Sequence, residues 1–211
     1  MKRWLAVFLA TGLFVAGPLA LAGEAAGETP MELIQQSTEK VLSILNDKSL
    51  ADTPKVREEK LWEVISTRFD FEEMSKRALA LHWRQRSPQE RDEFVPLFGK
   101  LLFYTYVDRI QGYSNEKVRY LGEEIQEDKA LVQTKVENKS LDVPIEYRLM
   151  KKASDWTIYD VSIEGVSLIN NYRNQFSRII TSDGYPELIE RIKAKLRELR
   201  KEQSGPETKK N

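Results

Sequence analysis

The period of the apolar residues changes twice along this chain, and that change limits what it can fold into. Up to Gly112 they recur at helical spacing, after it they alternate, and beyond Ile163 the helical spacing returns. A stretch of period 3.6 cannot sit as a strand, nor a stretch of period two as a helix. Lys117 to Gly122 alternates with Val118 and Tyr120 on one side, and Ala130 to Glu137 puts Val132, Thr134 and Val136 on one face. Val143, Ile145, Tyr147 and Leu149 follow, then Tyr159, Val161 and Ile163. The connections Glu127-Asp128-Lys129 and Asn138-Lys139-Ser140 are short and polar. Runs joined this way make an antiparallel meander. The expected class is α+β, with helices on one face of a curved, mainly antiparallel sheet of four strands or more.

The helical segments carry start signals. Thr29-Pro30-Met31-Glu32 and Ser87-Pro88-Gln89-Glu90 have capping-box spacing with proline at the first helical position. Asp52-Thr53-Pro54 opens a helix bearing Leu61, Trp62, Ile65 and Phe69, and Asp70 can cap a short one containing Met74 and Leu79. Behind Ser87, Phe94, Leu97, Phe98, Leu101 and Leu102 form one stripe, and Phe103, Tyr104, Tyr106, Val107 and Ile110 cover the other faces. Such a helix is buried or borders a cavity. Pro96 removes a backbone donor inside it and should kink it. Two helices close the chain, one with Leu168, Ile169, Tyr172, Phe176 and Ile180, the other with Leu188, Ile192, Leu196 and Leu199.

Lys2 and Arg3 precede an uncharged, mostly apolar run from Trp4 to Ala16, then Gly17-Pro18 and Ala20-Leu21-Ala22. This pattern reads as a secretory signal peptide over residues 1–22, cleaved after Ala22. The run is short of the ~20 apolar residues that a spanning helix needs. No cysteine follows it, which argues against a lipoprotein anchor. Residues 23–203 are then expected to form one domain, with a polar tail over 204–211. The whole chain has 33 basic and 33 acidic residues, so it lacks the basic footprint of nucleic-acid binding. With no cysteine it has neither disulfides nor thiolate chemistry.

Catalytic motifs are scarce. There is one histidine, His82, and no Walker loop, Gly-x-Ser-x-Gly elbow or EF-hand ladder. His82 reads as a structural or surface residue. Asp160 lies in an apolar strand, where desolvation would raise its pKa, but a hydrogen-bonded residue at a strand end or helix junction is the simpler reading. The large apolar surface is by itself accounted for by a dense core.

Four segments add a resemblance: Phe69-Asp70-Phe71-Glu72-Glu73-Met74 with Ala78-Leu79 and Trp83; Ser87-Pro88 through Phe94, Phe98, Leu101-Leu102 and Tyr104 to Tyr106; Val143-Pro144-Ile145-Glu146-Tyr147; and Trp156 through Leu168 into Asn171-Tyr172-Arg173-Asn174-Gln175-Phe176. Together they resemble the MlaC family of periplasmic phospholipid-binding proteins, also called toluene-tolerance auxiliary proteins. The last block is the most specific. One departure is Ala80, where family members often carry glycine.

The resemblance implies a fold similar to the nuclear-transport-factor-two-like class, with a deep apolar pocket for phospholipid acyl chains. It implies shuttling through the periplasm between an inner-membrane ABC transporter complex and an outer-membrane lipoprotein complex. It implies no cofactor, metal or catalytic residue, so the chain is expected not to be an enzyme. On that basis the candidate pocket residues are Val132, Val136, Ile145, Tyr147, Leu149, Tyr159 and Val161 from the sheet. From helices they are Phe98, Leu102, Tyr106, Val166, Ile169, Tyr172 and Phe176. For each of them plain core packing is the competing account. Arg173 and Asn174 are candidates for the rim or a phosphate contact, and Arg173 reads equally as a solvated helix residue. The other functional readings are a ligand-free periplasmic adaptor or chaperone, and an enzyme using Asp160 or His82 as base.

Overall fold

The computed structural model describes residues 27–112, 117–137 and 142–204. The expected leader, the Asn138-Lys139-Ser140 connection and all of the tail after Ser204 lie outside the described residues.

The first half is helical: α1 (Pro30–Asn46), α2 (Pro54–Arg68), α3 (Phe71–Leu79) and α4 (Pro88–Gln111), with a 3-10 turn at Ala80–Gln85. Both expected capping boxes form. Thr29 Oγ1 accepts from the Glu32 N–H at 3.1 Å while Glu32 Oε2 accepts from the Thr29 N–H at 2.8 Å. Ser87 and Glu90 exchange the same pair at 3.2 and 2.7 Å. Asp70 caps α3 by accepting from the Glu73 N–H at 3.0 Å. A cap of this kind contributes about 1 kcal/mol. Thr53 makes no side-chain cap, so α2 starts on Pro54 with its φ already fixed. Helix α4 runs as one element through Pro96, which is exposed, as is Asp92 one turn earlier; the carbonyl that loses its donor is on the hydrated side.

The sheet is the expected antiparallel meander: β1 (Lys117–Gln126), β2 (Lys129–Glu137), β3 (Asp142–Lys152), β4 (Asp155–Ile163) and a two-residue β5 (Val166–Ser167), in that order across the sheet. Two irregularities bend it. The β1–β2 register shifts between Tyr120 and Gly122, and the β3–β4 register shifts between Arg148 and Leu149. The second has a consequence for the faces. Leu149 pairs with Ile158 and Arg148 with Asp160, which leaves Tyr159 as the extra residue. Tyr159, Val161 and Ile163 therefore do not continue one alternating series toward Trp156. Ile158 takes the inward position beside Leu149, and Tyr159 lies under the Arg77 guanidinium, 4.1 Å from its ring centroid.

Helices α5 (Leu168–Asp183) and α6 (Tyr185–Ser204) follow, separated at Gly184, whose φ of 89° suits glycine. The interior consists of two cores. One is helical and is built from α2 to α6, including Leu61, Phe94, Phe98, Tyr172, Phe176 and Leu188. The other lies between α1 and the sheet, with Leu33, Ile34, Val132, Leu149 and Ile158. Helix α1 spans both, since Val41, Ile44 and Leu45 pack on the helical core, and Phe69 packs against each of them.

Candidate functional site

Residues paired across antiparallel strands share a face. On the inward face the register gives four cross-strand rows: Val118, Val136 and Val143; Tyr120, Thr134, Ile145, Ile163 and Val166; Glu123, Val132, Tyr147 and Val161; and Ile125, Ala130, Leu149 and Ile158. Burial is graded along this face. Ala130, Leu149 and Ile158 are buried beneath α1. In the second row Tyr120, Ile145 and Ile163 are only half-buried, and Val166 is exposed. The one polar member of that row, Thr134, is buried, and its hydroxyl donates to the Ile145 carbonyl at 3.2 Å. The result is an apolar strip across all five strands that the helices do not fully cover.

Glu123 explains why α1 covers the other end. Its Oε2 accepts from the Met31 N–H at 2.9 Å, so a carboxylate on β1 meets the electropositive first turn of α1. Leu33 and Ile34, one turn further, are then set on the sheet.

The helical candidates form a second group at the α4–α5 contact. The Phe98 ring meets Tyr172 at 5.2 Å and Phe176 at 5.3 Å, both edge to face, and stacks on Phe94 at 5.6 Å. Leu102 and Ile169 are buried in the same core. Tyr106 is half-buried. Burial pushes the Tyr106 and Tyr172 phenols up, Tyr106 further through Tyr172, while a hydrogen bond with Thr105 acts the other way on Tyr172. Both phenols stay protonated near neutral pH, and the Tyr172 hydroxyl shares a hydrogen bond with Thr105.

The structure thus places the sequence-derived candidates in three settings. Val132, Val136, Ile145, Tyr147, Leu149, Val161 and Val166 share the inward sheet face. Phe98, Leu102, Ile169, Tyr172 and Phe176 belong to the helical core, with Tyr106 at its half-buried edge. Tyr159 occupies the bulge against Arg77, and Arg173 and Asn174 are exposed on α5. Tyr120 and Ile163 belong to the strip but were not among the candidates. Their alternation with Val118 and Val161 was the available signal. Phe69 was read as a helix residue, and its position between the two cores has no local signature.

Neither candidate base lies on the inward sheet face. Asp160 is buried, accepts from the Ser167 hydroxyl at 2.6 Å and from the Ile169 N–H at 3.1 Å, and so joins β4 to α5. His82 is half-buried in the 3-10 turn, and its carbonyl accepts from Arg86 Nε at 3.3 Å. Among the described residues no group of three or more His, Cys, Asp or Glu could hold a metal ion, and no helix is long and apolar enough to cross a membrane. What this arrangement offers chemically is apolar surface with a few protonated hydroxyls.

Known proteins share this organisation. The MlaC intermembrane phospholipid transport system binding protein of Haemophilus influenzae is 22% identical over 201 residues, covering 91% of this chain and 92% of that protein. The toluene tolerance protein ttg2D of Pseudomonas putida is 24% identical over 189 residues, covering 87% and 84% respectively. The structure of a phospholipid-binding protein from Ralstonia solanacearum, in complex with a phospholipid, superimposes with a TM-score of 0.73 at 23% identity. It covers 81% of this chain and 98% of that one, which establishes a common fold. The model of the MlaC protein family matches residues 35–194, most of the length, and this chain therefore belongs to the MlaC family.

Proposed function

We propose that the mature chain is a periplasmic phospholipid carrier that takes acyl chains in between the inward face of its sheet and its helices. The observation that carries this reading is the half-covered strip Tyr120, Ile145, Ile163 and Val166, which lies beside two cores that α1 and Phe69 bridge. Acyl chains entering there would extend the buried sheet surface and separate the sheet from α5. Val132, Val136, Tyr147, Leu149 and Val161 would line the sheet side, with Tyr106, Ile169 and Tyr172 opposite. The relatives described above, one a binding protein of a phospholipid transport system and one solved in complex with a phospholipid, support the same reading.

Energetics explain why such a carrier must enclose its cargo. Each buried methylene is worth ~0.8 kcal/mol, so roughly thirty methylenes on two acyl chains would cost about 24 kcal/mol to leave in water. Loading and release both require that the tails never face bulk water. Handover then takes place docked to a membrane complex, in this reading an inner-membrane ABC transporter complex on one side and an outer-membrane lipoprotein complex on the other. The protein contributes binding and release and makes or breaks no covalent bond. Residues 1–22 serve as the export signal and are removed.

The reading is tested by incubating the mature chain with vesicles carrying a phospholipid whose acyl chain bears a fluorophore. The carrier removes lipid in proportion to its own concentration and elutes with it on gel filtration. Fluorescence that stays with the vesicles overturns the proposal.

A further inference from the structure

The geometry points to the groove between α4 and α6 as a docking cleft for an acidic segment of a partner protein, seating one apolar side chain between flanking carboxylates. The groove has a volume of about 320 Å³. Its apolar lining is Pro96, Leu97 and Leu196, and its cationic lining is Lys100, Lys193, Arg197 and Arg200.

The cations differ in how they are held. Lys193 is neutralised by Glu93 at 2.9 Å and Glu190 at 3.3 Å. Lys100 and Arg197 have no carboxylate within ion-pair distance among the described residues. Lys100 is instead held over an aromatic platform, its Nζ 3.4 Å from the Trp62 ring centroid. The Arg200 guanidinium lies 5.1 Å from the Tyr104 ring centroid, and the Tyr104 hydroxyl donates to Glu58 at 2.8 Å. The cation–π contact holds the Lys100 charge in place while leaving it able to meet an anion. Burial and then the nearby Arg200 charge push the Lys100 ammonium below its usual pKa, so an incoming carboxylate would relieve an existing repulsion.

Size and shape select the class of occupant. The volume is at the bottom of the range of about 300–1,000 Å³ for small-molecule sites, enough for a side chain and too small for a two-tailed lipid. A slot between two helices with cations at its rim suits a chain segment that inserts a side chain, whereas a flat bilayer surface would leave the lining apolar residues uncovered. Charged rims of this kind speed and orient transient docking. The groove shares no residue with the proposed lipid contacts, so this inference stands independently of the carrier reading.

The test uses the full mature chain, labelled with 15N, and a synthetic peptide of alternating glutamate and leucine as probe. The indole N–H of Trp62, under Lys100, is the reporter. The expected result is a saturable shift that weakens with salt and requires at least tenfold more peptide in the Lys100→Gln/Arg197→Gln double variant. Arg197→Gln alone, at an exposed position, gives a smaller weakening and guards against misfolding of the double variant. A lysine–leucine peptide should leave the signal unmoved. The inference is overturned if the glutamate peptide does not move Trp62, if inorganic phosphate at equal charge moves it as much, or if phosphatidylglycerol vesicles bind at the groove while the peptide does not.

Discussion

Asp160 Oδ1 accepts the Ile169 backbone N–H at 3.1 Å, so a buried carboxylate on the fourth strand ties down the first turn of α5. Ser167, itself the N-cap, donates to the other oxygen at 2.6 Å, and Arg148 Nη1 lies 3.8 Å from it. Hydrogen bonds to charged groups contribute about 1.5–3 kcal/mol. Asp160→Ala should therefore lower unfolding free energy by about 2 kcal/mol in urea titrations. Ser167→Ala should cost about 1 kcal/mol through the lost cap. An Asp160→Ala variant as stable as the parent would show that this carboxylate does not hold the first turn of α5.

Ala80 holds φ 48° and ψ −118° at the end of α3, a conformation that favours glycine. A non-glycine residue there stores on the order of 1–3 kcal/mol of strain, partly offset by the lower chain entropy of alanine when unfolded. Ala80→Gly should raise stability by about 1 kcal/mol, read as a higher urea midpoint at unchanged slope.

Much of this architecture is legible in the sequence because local chemistry writes it. The caps at Thr29, Asp70 and Ser87 need only residues three positions apart, and strands β1 to β4 follow from alternation. The bulge at Tyr159 is not legible, since Ile158-Tyr159-Asp160-Val161 reads the same with either residue inward. Two-residue β5 is too short to show a period. Nor does the sequence separate core from binding surface. Phe98 and Ile145 are both apolar at regular spacing, yet one is fully buried in the helical core and the other is half-buried on the strip. Only tertiary packing distinguishes them.

That distinction yields a paired test. Phe98→Ala should destabilise the fold by about 3–5 kcal/mol, as large-to-small changes in aromatic cores do. Ile145→Asn should cost far less stability and should instead reduce the phospholipid that accompanies the protein. Urea titration and lipid extraction on the same samples separate the two effects. Equal stability losses with unchanged lipid content would count against the strip as a contact surface.

Burial pushes the Tyr185 phenol up to about 12, with the Glu90 charge adding to it, and its hydroxyl donates to the Glu90 carbonyl at 3.1 Å. The folded state thus holds this proton more tightly than the unfolded chain. The stabilisation is complete below the ordinary tyrosine value near ~10 and is lost as pH rises toward the folded value. Stability should fall across that alkaline window, and Tyr185→Phe should flatten part of the fall while costing about 1 kcal/mol at neutral pH. Denaturation midpoints collected at several alkaline pH values check this.

The central claim is that this protein carries phospholipid, and a native mass spectrum of the mature chain purified without detergent tests it most directly. The account predicts a species heavier than the polypeptide by the mass of a phospholipid, which solvent extraction then releases at near one per chain. A spectrum showing only the bare polypeptide, from protein that also takes no lipid from vesicles, would contradict it.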